Sequence, residues 1–339
     1  MATTVASKPS PELLFTALTS YQQAFALKAG IDLDLFTAIA EGAADPAALA
    51  KRVHAAERGV RILADYLTIQ GFLRKENGAY SLTPDSAVFL DKRSPAYMGG
   101  MAGFLVSEQN VDNMYLLTDS VQKGGTASHI GDNRQPVDER WVNFAQSMGA
   151  MAVPMAGVLS QIVNAQAPSP IRVLDVAAGH GMYGITVARN NPSVQLTSLD
   201  WPAVLEVAKG NAQKAGVIDR FTALPGSAFD AELGEGYDYI FITNFLHHFD
   251  IPTCEMLLRR FHAALKPGGK TITVDFVPNE DRVSPPTAAA FSLVMLAHTD
   301  HGDAYTFSEY EKMHRAAGFR SCVLDVVPDL PQRLVIGEK

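Results

Sequence analysis

The chain has 339 residues, of which 47% are hydrophobic and 19% charged, and its formal net charge at pH 7 is -8. The length predicts more than one domain, and the composition is typical of a folded protein rather than a disordered one. The acidic balance, without clustered Lys and Arg, argues against nucleic acid as a partner.

Apolar residues recur at helical spacing through the first seventy residues. The pattern predicts helices within residues 12–40, with a break at residues 30–32, and further helices over residues 46–53 and 57–70. The last of these helices is expected to bury Ile62, Leu63, Tyr66, Leu67 and Ile69. Two strand-like pieces around Asn77-Gly78 then predict a β-hairpin. Helices followed by a hairpin are typical of a winged helix.

The winged-helix interpretation raises DNA binding as a function. The would-be recognition helix carries Arg58 and Arg61, but it also carries Glu57 and Asp65. It has little Asn, Gln or Lys with which to contact base edges. A dimerisation or substrate-covering module is therefore the favoured interpretation.

Residues 94–168 are Met-rich and again helical in pattern, with a loop near residues 124–131 and helices over residues 137–145 and 151–164. A polar, Pro-rich piece at residues 165–170 is the best candidate for a domain boundary. We expect a first domain over residues 1–105, linking helices over 106–168 and a second domain over 169–339.

Strands and helices alternate in the second half. Strands are predicted over residues 172–176, 195–199, 221–224, 237–243, 270–276, 321–327 and 333–336. Helices are predicted over residues 182–190, 202–215, 252–265 and 306–317, with an irregular piece at 229–233. Such alternation predicts an α/β fold whose parallel sheet is covered on both faces. Only residues 328–331 join the last two strands, too few for a parallel crossover, so the final strand must be antiparallel.

A glycine turn follows the first strand of this sheet. Asp175 closes the strand, and the turn from Gly179 to Gly184 reads G-x-G-x-x-G, which fits a dinucleotide or adenosylmethionine. Asp200, after the second strand, suits the ribose of either cofactor. A dinucleotide needs the helix N-terminus for its pyrophosphate, whereas adenosylmethionine carries an ammonium that Asp175 can help hold. The turn somewhat favours adenosylmethionine.

Three segments resemble a known family in their order and spacing: Leu174-Asp-Val-Ala-Ala-Gly-His-Gly181, Ser198-Leu-Asp-Trp-Pro-Ala-Val204 and Asn244-Phe-Leu-His-His-Phe-Asp250. The chain resembles class I adenosylmethionine-dependent methyltransferases, specifically small-molecule O-methyltransferases of the plant caffeate and bacterial natural-product type. The resemblance implies a Rossmann-like seven-stranded methyltransferase sheet with its last strand antiparallel. It also implies an N-terminal, mainly α, winged-helix dimerisation domain, S-adenosyl-L-methionine as cofactor and a homodimer formed through the N-terminal domain.

The resemblance also implies the cofactor site. Trp201 is available to stack on adenine, Ser227 replaces the acid expected at the adenine amine, and Thr243 stands where plant members often have Lys. The residues carried over to the cofactor are Asp175, Gly179, Gly181, Asp200, Trp201, Ser227, Ala228, Phe229, Thr243 and Phe249.

A histidine after the fourth strand can take a proton from a phenol near neutral pH. His247 matches the family's general base, while His248 replaces the Asp that follows it there. Asp275 stands where the family places a Glu that orients the base, and Ala304 stands where it places a second Glu. A structural role for His247 is the alternative. A metal site with His248 is disfavoured because no Cys or Glu lies at ligand spacing, so no metal is expected.

Polarizable and aromatic side chains suit a flat acceptor. The acceptor-side candidates are Met148, Phe144, Phe291 and Met295, with core filling as the alternative for each. His298 and His301, beside Asp300 and Asp303, either line the mouth of the site or solvate a loop. The sequence thus predicts methyl transfer from adenosylmethionine to a hydroxyl of a small, aromatic molecule. The alternatives are a metabolite-binding winged-helix regulator, or a family member drifted to C- or N-methylation or to non-methylating chemistry.

The compartment follows from the cysteines and the N-terminus. Cys254 and Cys322 are far apart and predict a reducing environment. The N-terminus lacks the charged and apolar segments of an export signal. The most apolar stretch, residues 148–158, is shorter than the ~20 residues of a membrane span. We expect a soluble, cytoplasmic protein that works on small molecules and not at a membrane.

Overall fold

The computed structural model describes residues 9–128, 139–164 and 170–339. The chain divides into two compact units, Met1–Ser107 and Glu108–Lys339. The start of the predicted helix 137–145, the end of the loop 124–131 and most of the boundary segment 165–170 lie outside the described residues. The finer division into linking helices and a domain beginning at residue 169 stays a prediction.

The first unit consists of short helices and one hairpin, in the predicted order. Its elements are α1 (Glu12–Thr19), α2 (Tyr21–Asp32), α3 (Leu35–Ala40), α4 (Pro46–Arg52), α5 (Glu57–Ile69), β1 (Leu73–Glu76), β2 (Ala79–Leu82), α6 (Pro84–Phe89) and α7 (Ala102–Leu105). Asn77 and Gly78 both have positive φ, 50° and 83°, which is the backbone that a two-residue hairpin turn requires. The hairpin is confirmed, whereas the winged-helix assignment stays a prediction.

Two local predictions in this unit are wrong. The helical break lies at Leu33 and Asp34, where Asp34 is left-handed with φ 59°, and not at residues 30–32. In α5 Leu67 is buried as predicted and Leu63 and Tyr66 are partly buried, but Ile62 and Ile69 are 44% and 78% exposed. The other buried residues of α5 are Val60 and Ala64. Apolar residues occupy more of the α5 surface than the one side, marked by Val60, Ala64 and Leu67, that contacts the core. Hydrophobicity alone therefore does not identify which side of α5 is buried.

The second unit begins with helices α8 (Glu108–Tyr115), α9 (Leu117–Lys123), α10 (Glu139–Ser147) and α11 (Gly149–Asn164). Among the described residues no single helix is long and apolar enough to cross a membrane, although the bent pair Glu139–Ser147 and Gly149–Val163 passes by length and composition together.

A seven-stranded sheet forms the centre of the second unit. Its strands are β3 (Ile171–Val176), β4 (Val194–Asp200), β5 (Phe221–Pro225), β6 (Tyr237–Thr243), β7 (Leu265–Asp275), β8 (Ser321–Asp325) and β9 (Arg333–Glu338), in the spatial order β5-β4-β3-β6-β7-β9-β8. The pairs from β5 to β7 are parallel, and β9 is antiparallel to both β7 and β8. The reversed last strand is confirmed.

Helices cover both faces of the sheet: α14 (Ile251–Ala264) and α16 (Phe307–Ala316) pack on one face, and α12 (Met182–Asn190) and α13 (Pro202–Lys214) on the other. Helix α15 (Pro286–His298) packs against α8 and α9. Successive residues of β3 enter opposite cores, with Leu174 in one and Val173 in the other. Strand order reverses between β3 and β6, and ligands of such sheets bind at the carboxyl ends of the strands beside that point. Helix α15 was not predicted, because its apolar residues surround the helix without a polar side.

Candidate active site

The turn between β3 and α12 exposes backbone to a ligand. Ala177, Gly179 and Gly181 all have positive φ, at 50°, 56° and 70°. The third glycine of the motif has a packing role, since a Cβ on Gly184 would overlap the side chain of Leu196. The glycines therefore allow both a tight turn and the close approach of α12 to the sheet.

Asp175 lies at the end of β3 with its side chain fully buried. Its Oδ2 accepts a hydrogen bond of 3.1 Å from the backbone N–H of Gly184, while its Oδ1 has no hydrogen-bond partner among the described residues. Burial, with a further contribution from Asp200, raises the pKa of Asp175 to about 7. A buried carboxylate oxygen without a donor is the feature that a ligand ammonium or N–H would satisfy.

Asp200 ends the neighbouring strand and holds the turn closed. Its Oδ2 accepts from the N–H of Gly179 at 2.8 Å, and its Oδ1 accepts from the N–H of Trp201 at 2.7 Å. Burial raises the pKa of Asp200 to about 6. The buried Asp175 and the partly buried Asp200 therefore flank the glycine turn from adjacent strands, and both favour a ligand that brings positive charge or hydrogen-bond donors.

A cleft opens beside Asp200. It is lined by Ala177, Leu199, Asp200, Trp201, Gly226, Ser227, Ala228, Phe229 and Phe245. Five of the residues predicted to bind the cofactor thus share this cleft: Asp200, Trp201, Ser227, Ala228 and Phe229. The other five, Asp175, Gly179, Gly181, Thr243 and Phe249, are not in its lining. Phe249 stands behind it in edge contact with Phe229 and Phe245, at ring-centroid distances of 5.2 and 5.0 Å.

A network of side chains fixes the turn after β6. Asn244 adopts a left-handed backbone with φ 51°, and its N–H donates to the carbonyl of Val274 at 2.9 Å. Its side-chain amide donates to the hydroxyl of Tyr183 at 3.2 Å, and its carbonyl oxygen accepts from the Gln332 amide. Asn tolerates this backbone region better than most residues. Strand β6 and helix α12 are thereby connected at the entrance to a short 3-10 turn, Leu246–His248.

The 3-10 turn presents His247 to the end of β7. His247 and Asp275 are both buried, and His247 Nδ1 lies 2.6 Å from Asp275 Oδ1. Asp275 also accepts from the N–H of Phe276 and from the hydroxyl of Tyr310, each at 2.8 Å. Burial raises the pKa of Tyr310 well above its usual value, so this hydroxyl keeps its proton and donates it. A histidine, a carboxylate and a phenol therefore form one continuous hydrogen-bonded series.

Backbone contacts on the other side hold the turn in place. The buried thiol of Cys254 donates to the carbonyl of Leu246 at 3.2 Å, and the hydroxyl of Tyr305 donates to the carbonyl of Phe249 at 2.5 Å. A Cβ on Gly302 would overlap the carbonyl oxygen of His247. The loop after α15 thus packs directly against the residue that carries the candidate base.

Aromatic rings lie against His247 and against the glycine turn. Phe291 of α15 makes an edge contact with the His247 ring at 4.9 Å and stacks on Phe276 at 4.2 Å. Phe144 lies against Gly179 and stacks on His180 at 6.2 Å. Met148 and Met295 are both buried, and their predicted contacts with an acceptor stay predictions.

Within the ranges 9–128, 139–164 and 170–339, His247 and His248 belong to no cluster of metal-ligating side chains. Their ring centroids are 4.4 Å apart, and in the described part of the chain no group of three His, Cys, Asp or Glu side chains could hold a metal ion. Trp141 of α10 contacts the His248 ring edge-on at 5.5 Å. In the second polar cluster, His301 and Asp300 are exposed, whereas His298 and Asp303 are partly buried. Asp303 accepts a hydrogen bond from Arg282.

Sequence reasoning missed Tyr310, Tyr183, Asn244 and Gln332. They lie on α16, α12, the β6 turn and the segment before β9, separated by up to 149 positions. No local pattern marks them, because each acts through a hydrogen bond to a distant side chain. The sequence feature closest to Tyr310 is the capping box of Thr306 and Glu309. It predicts where α16 begins but not what the Tyr310 side chain contacts.

Three features together define the class of this site: a sheet with a reversed last strand, a glycine turn flanked by two acids, and a histidine nearby. They are those of an adenosylmethionine-dependent methyltransferase. Residues 142–320 match the O-methyltransferase domain family and residues 15–92 match the O-methyltransferase dimerisation domain. The chain belongs to the O-methyltransferase family. It is an enzyme with S-adenosyl-L-methionine as cofactor.

Individual relatives are similar over nearly their whole length. The 3-hydroxy-5-methyl-1-naphthoate 3-O-methyltransferase of Streptomyces sahachiroi is 28% identical over 91% of this chain and 89% of its own. A candidate O-methyltransferase of Nostoc punctiforme has a crystal structure that superposes with a TM-score of 0.93, is 45% identical, and covers 98% of this chain and 100% of its own. Human N-acetylserotonin methyltransferase, crystallised with adenosylmethionine, is 22% identical with a TM-score of 0.84, covering 100% and 99%.

Proposed function

We propose that this O-methyltransferase methylates a hydroxyl of a small aromatic molecule and that His247 is the general base. The observation that carries the proposal is the distance of 2.6 Å between His247 Nδ1 and Asp275 Oδ1 inside the protein. An ionised carboxylate only accepts hydrogen bonds, so Nδ1 must carry the proton of this bond. The opposite ring nitrogen, Nε2, is then the basic one and can take the proton of an acceptor hydroxyl.

Asp275 has two further tasks in the proposal. It fixes the tautomer that leaves Nε2 basic, and its charge stabilises the imidazolium that forms when the proton arrives. Tyr310 and the N–H of Phe276 hold the carboxylate toward His247. The second Glu of the family pattern is replaced by Ala304, which is fully buried. The proposal therefore assigns the orientation of His247 to Asp275 alone, with the Tyr310 hydroxyl holding that carboxylate in place.

The residues of the glycine turn and the cleft fit the cofactor. Asp175 would hold the ammonium of its methionine part, Asp200 the ribose hydroxyls and Trp201 the adenine ring, as the unpaired Asp175 oxygen and the adjoining cleft allow. When bound, the cofactor supplies an electrophilic methyl group on a sulfonium. The protein positions the acceptor oxygen and removes its proton.

The aromatic character of the acceptor rests on the rings near His247. Phe291 and Phe276 form a stacked pair beside the base, and Trp141 contacts the adjacent His248. Offset and edge contacts with such rings favour a flat π-system over an aliphatic alcohol. We include Met148, Phe144 and Met295 in the proposed acceptor pocket.

The test is steady-state methyl transfer to 2-naphthol by wild type and by His247→Ala. We expect kcat to fall by roughly 10²- to 10⁴-fold, while titration with adenosylhomocysteine gives an unchanged dissociation constant. His301→Ala, a truncation of an exposed histidine, is the matched control and should keep wild-type turnover. Unchanged turnover in His247→Ala would remove the base assignment.

We further propose that the first unit mediates a homodimer. Helix α1 has no buried residue in the single chain, and Leu13, Leu14, Phe15 and Leu18 are between 58% and 81% exposed. Contiguous apolar surface of this kind indicates a protein partner, and the match to a dimerisation domain makes a second copy the expected one. Light scattering should give a dimer for the wild type and a monomer for Leu14→Asp with Leu18→Asp. A cytoplasmic location stays a prediction.

A further inference from the structure

His298, the last residue of α15, has a fixed tautomer. Its Nδ1 lies 2.8 Å from the carbonyl oxygen of Val294. A carbonyl oxygen only accepts hydrogen bonds, so Nδ1 carries the hydrogen. Burial lowers the pKa of His298 below its usual value; the hydrogen bond to Val294 opposes this shift and the positive charge of Arg140 adds to it, so the neutral ring is favoured at neutral pH. A neutral ring protonated at Nδ1 presents a lone pair at Nε2, which therefore can only accept.

The Nε2 atom is enclosed by the protein and has no hydrogen-bond partner among the described residues. An enclosed acceptor without a donor is unfavourable in a folded protein and calls for a specific explanation. The hydrogen bond to Val294 also keeps the ring from flipping, so Nδ1 and Nε2 cannot exchange places to give Nε2 a partner. A donor from outside the described chain, an ordered water or a bound ligand, would satisfy it.

The enclosed nitrogen belongs to the same side of the second unit as the base. Phe291 and His298 are seven residues apart on α15, which is two helical turns, so they share one face. Phe291 contacts the His247 ring, and His298 acts electrostatically on His248, whose ring is 4.4 Å from that of His247. An acceptor seated against Phe291 therefore extends toward His298.

We propose that the methyl acceptor carries a second hydrogen-bond donor, an O–H or N–H group, that donates to Nε2 of His298. The inference rests on the proposed function of His247 and names the class of its substrate: an aromatic ring with one hydroxyl to be methylated and a further hydroxyl or N–H group. A carbonyl or carboxylate in that position would place its lone pairs against that of Nε2. The Nδ1 of His248 is also unpaired, but among the described residues no hydrogen bond fixes the tautomer of that ring, so it does not discriminate between donors and acceptors.

The experiment compares methylation of 2-naphthol with that of 2,3-, 2,6- and 2,7-naphthalenediol, which place the second hydroxyl at different distances from the first. Wild type should prefer at least one diol by roughly tenfold in kcat/KM, the range expected for one buried hydrogen bond. His298→Phe removes the acceptor while keeping a ring, and His298→Gln keeps an amide oxygen that can reach the position of Nε2. The preference should disappear in the Phe variant and largely persist in the Gln variant.

His301→Phe, the same substitution at an exposed neighbour, is the matched control and should keep the wild-type preference. Methyl transfer to 2-naphthol, which has a single hydroxyl, tests the proposed function alone. A failure of that function can therefore be told apart from a failure of the His298 assignment. Equal kcat/KM for 2-naphthol and all three diols in the wild type, or an undiminished preference in His298→Phe, would overturn the assignment of His298.

Discussion

Replacing Asp275 by Asn removes one negative charge from the site with almost no change in size. The wild-type carboxylate is fully buried and accepts hydrogen bonds from His247, Tyr310 and the N–H of Phe276. An Asn amide has one oxygen and one NH₂ group, so it cannot accept on both sides. Either the bond to Tyr310 reverses, or the amide donates to His247 and forces the wrong tautomer.

The magnitude follows from the charge that is lost. Opposite unit charges ~4 Å apart at an effective dielectric constant of ~20 attract by ~4 kcal/mol. That attraction stabilises an imidazolium at His247 and is absent beside a neutral amide. Since each ~1.4 kcal/mol of barrier is a factor of ten in rate, the loss corresponds to at most about three powers of ten. We expect a fall in kcat of roughly 10²- to 10³-fold, because acidic phenols need less help.

The assay is single-turnover methylation of 2-naphthol with saturating cofactor, accompanied by thermal unfolding and titration with adenosylhomocysteine. Asp238→Asn is the matched control, because Asp238 is also a buried aspartate of the sheet, paired with Lys266 at the start of β6. It should keep its methylation rate even if its melting temperature falls. A folded Asp275→Asn variant with a rate within about threefold of wild type would refute the charge argument.

Three further predictions concern groups around the site. Tyr310→Phe should lower kcat by about tenfold with KM unchanged, because one hydrogen bond to the Asp275 carboxylate is lost; a change confined to KM in steady-state kinetics would contradict this. Gly302→Ala should lower both the melting temperature and kcat, since its Cβ would displace the His247 carbonyl; wild-type values of both would count against it. Because the folded pKa of Asp200 is raised to about 6, its protonated form adds stability at low pH that is lost as the pH rises through that value. Without cofactor, the melting temperature of Asp200→Asn minus that of wild type should therefore rise between about pH 5 and about pH 8; a difference that falls over this range would exclude the raised pKa of Asp200.

The sheet and one half of the site were predictable from sequence because their signals are local. Strand β6 was predicted with its observed ends, Tyr237 and Thr243, since every residue in it is buried and apolar or β-branched residues dominate it. The antiparallel direction of β9 followed from the length of one connection. Asp175 and Asp200 followed from the rule that ligands bind where parallel strands end.

The parts that sequence did not predict depend on contacts between distant residues. Tyr310 reaches Asp275 from 35 positions away, and the tautomer of His298 depends on a helix, α15, that was not predicted. The exposed isoleucines of α5 show the same limit in another form. Hydrophobicity identifies which residues can be buried, whereas the neighbouring elements determine which of them are buried.

The contact between Gly302 and His247 links the shape of the loop after α15 to the position of His247. The loop that begins after His298 packs against the backbone of His247, so a substitution or insertion that reshapes this loop is expected to move the ring nitrogen that we propose as the base. We therefore expect that substitutions on α15 can change which acceptors are methylated, whereas changes in the length of the loop lower kcat. Attempts to retarget this enzyme should accordingly vary the helix face and leave the length of the loop from Thr299 to Tyr305 unchanged.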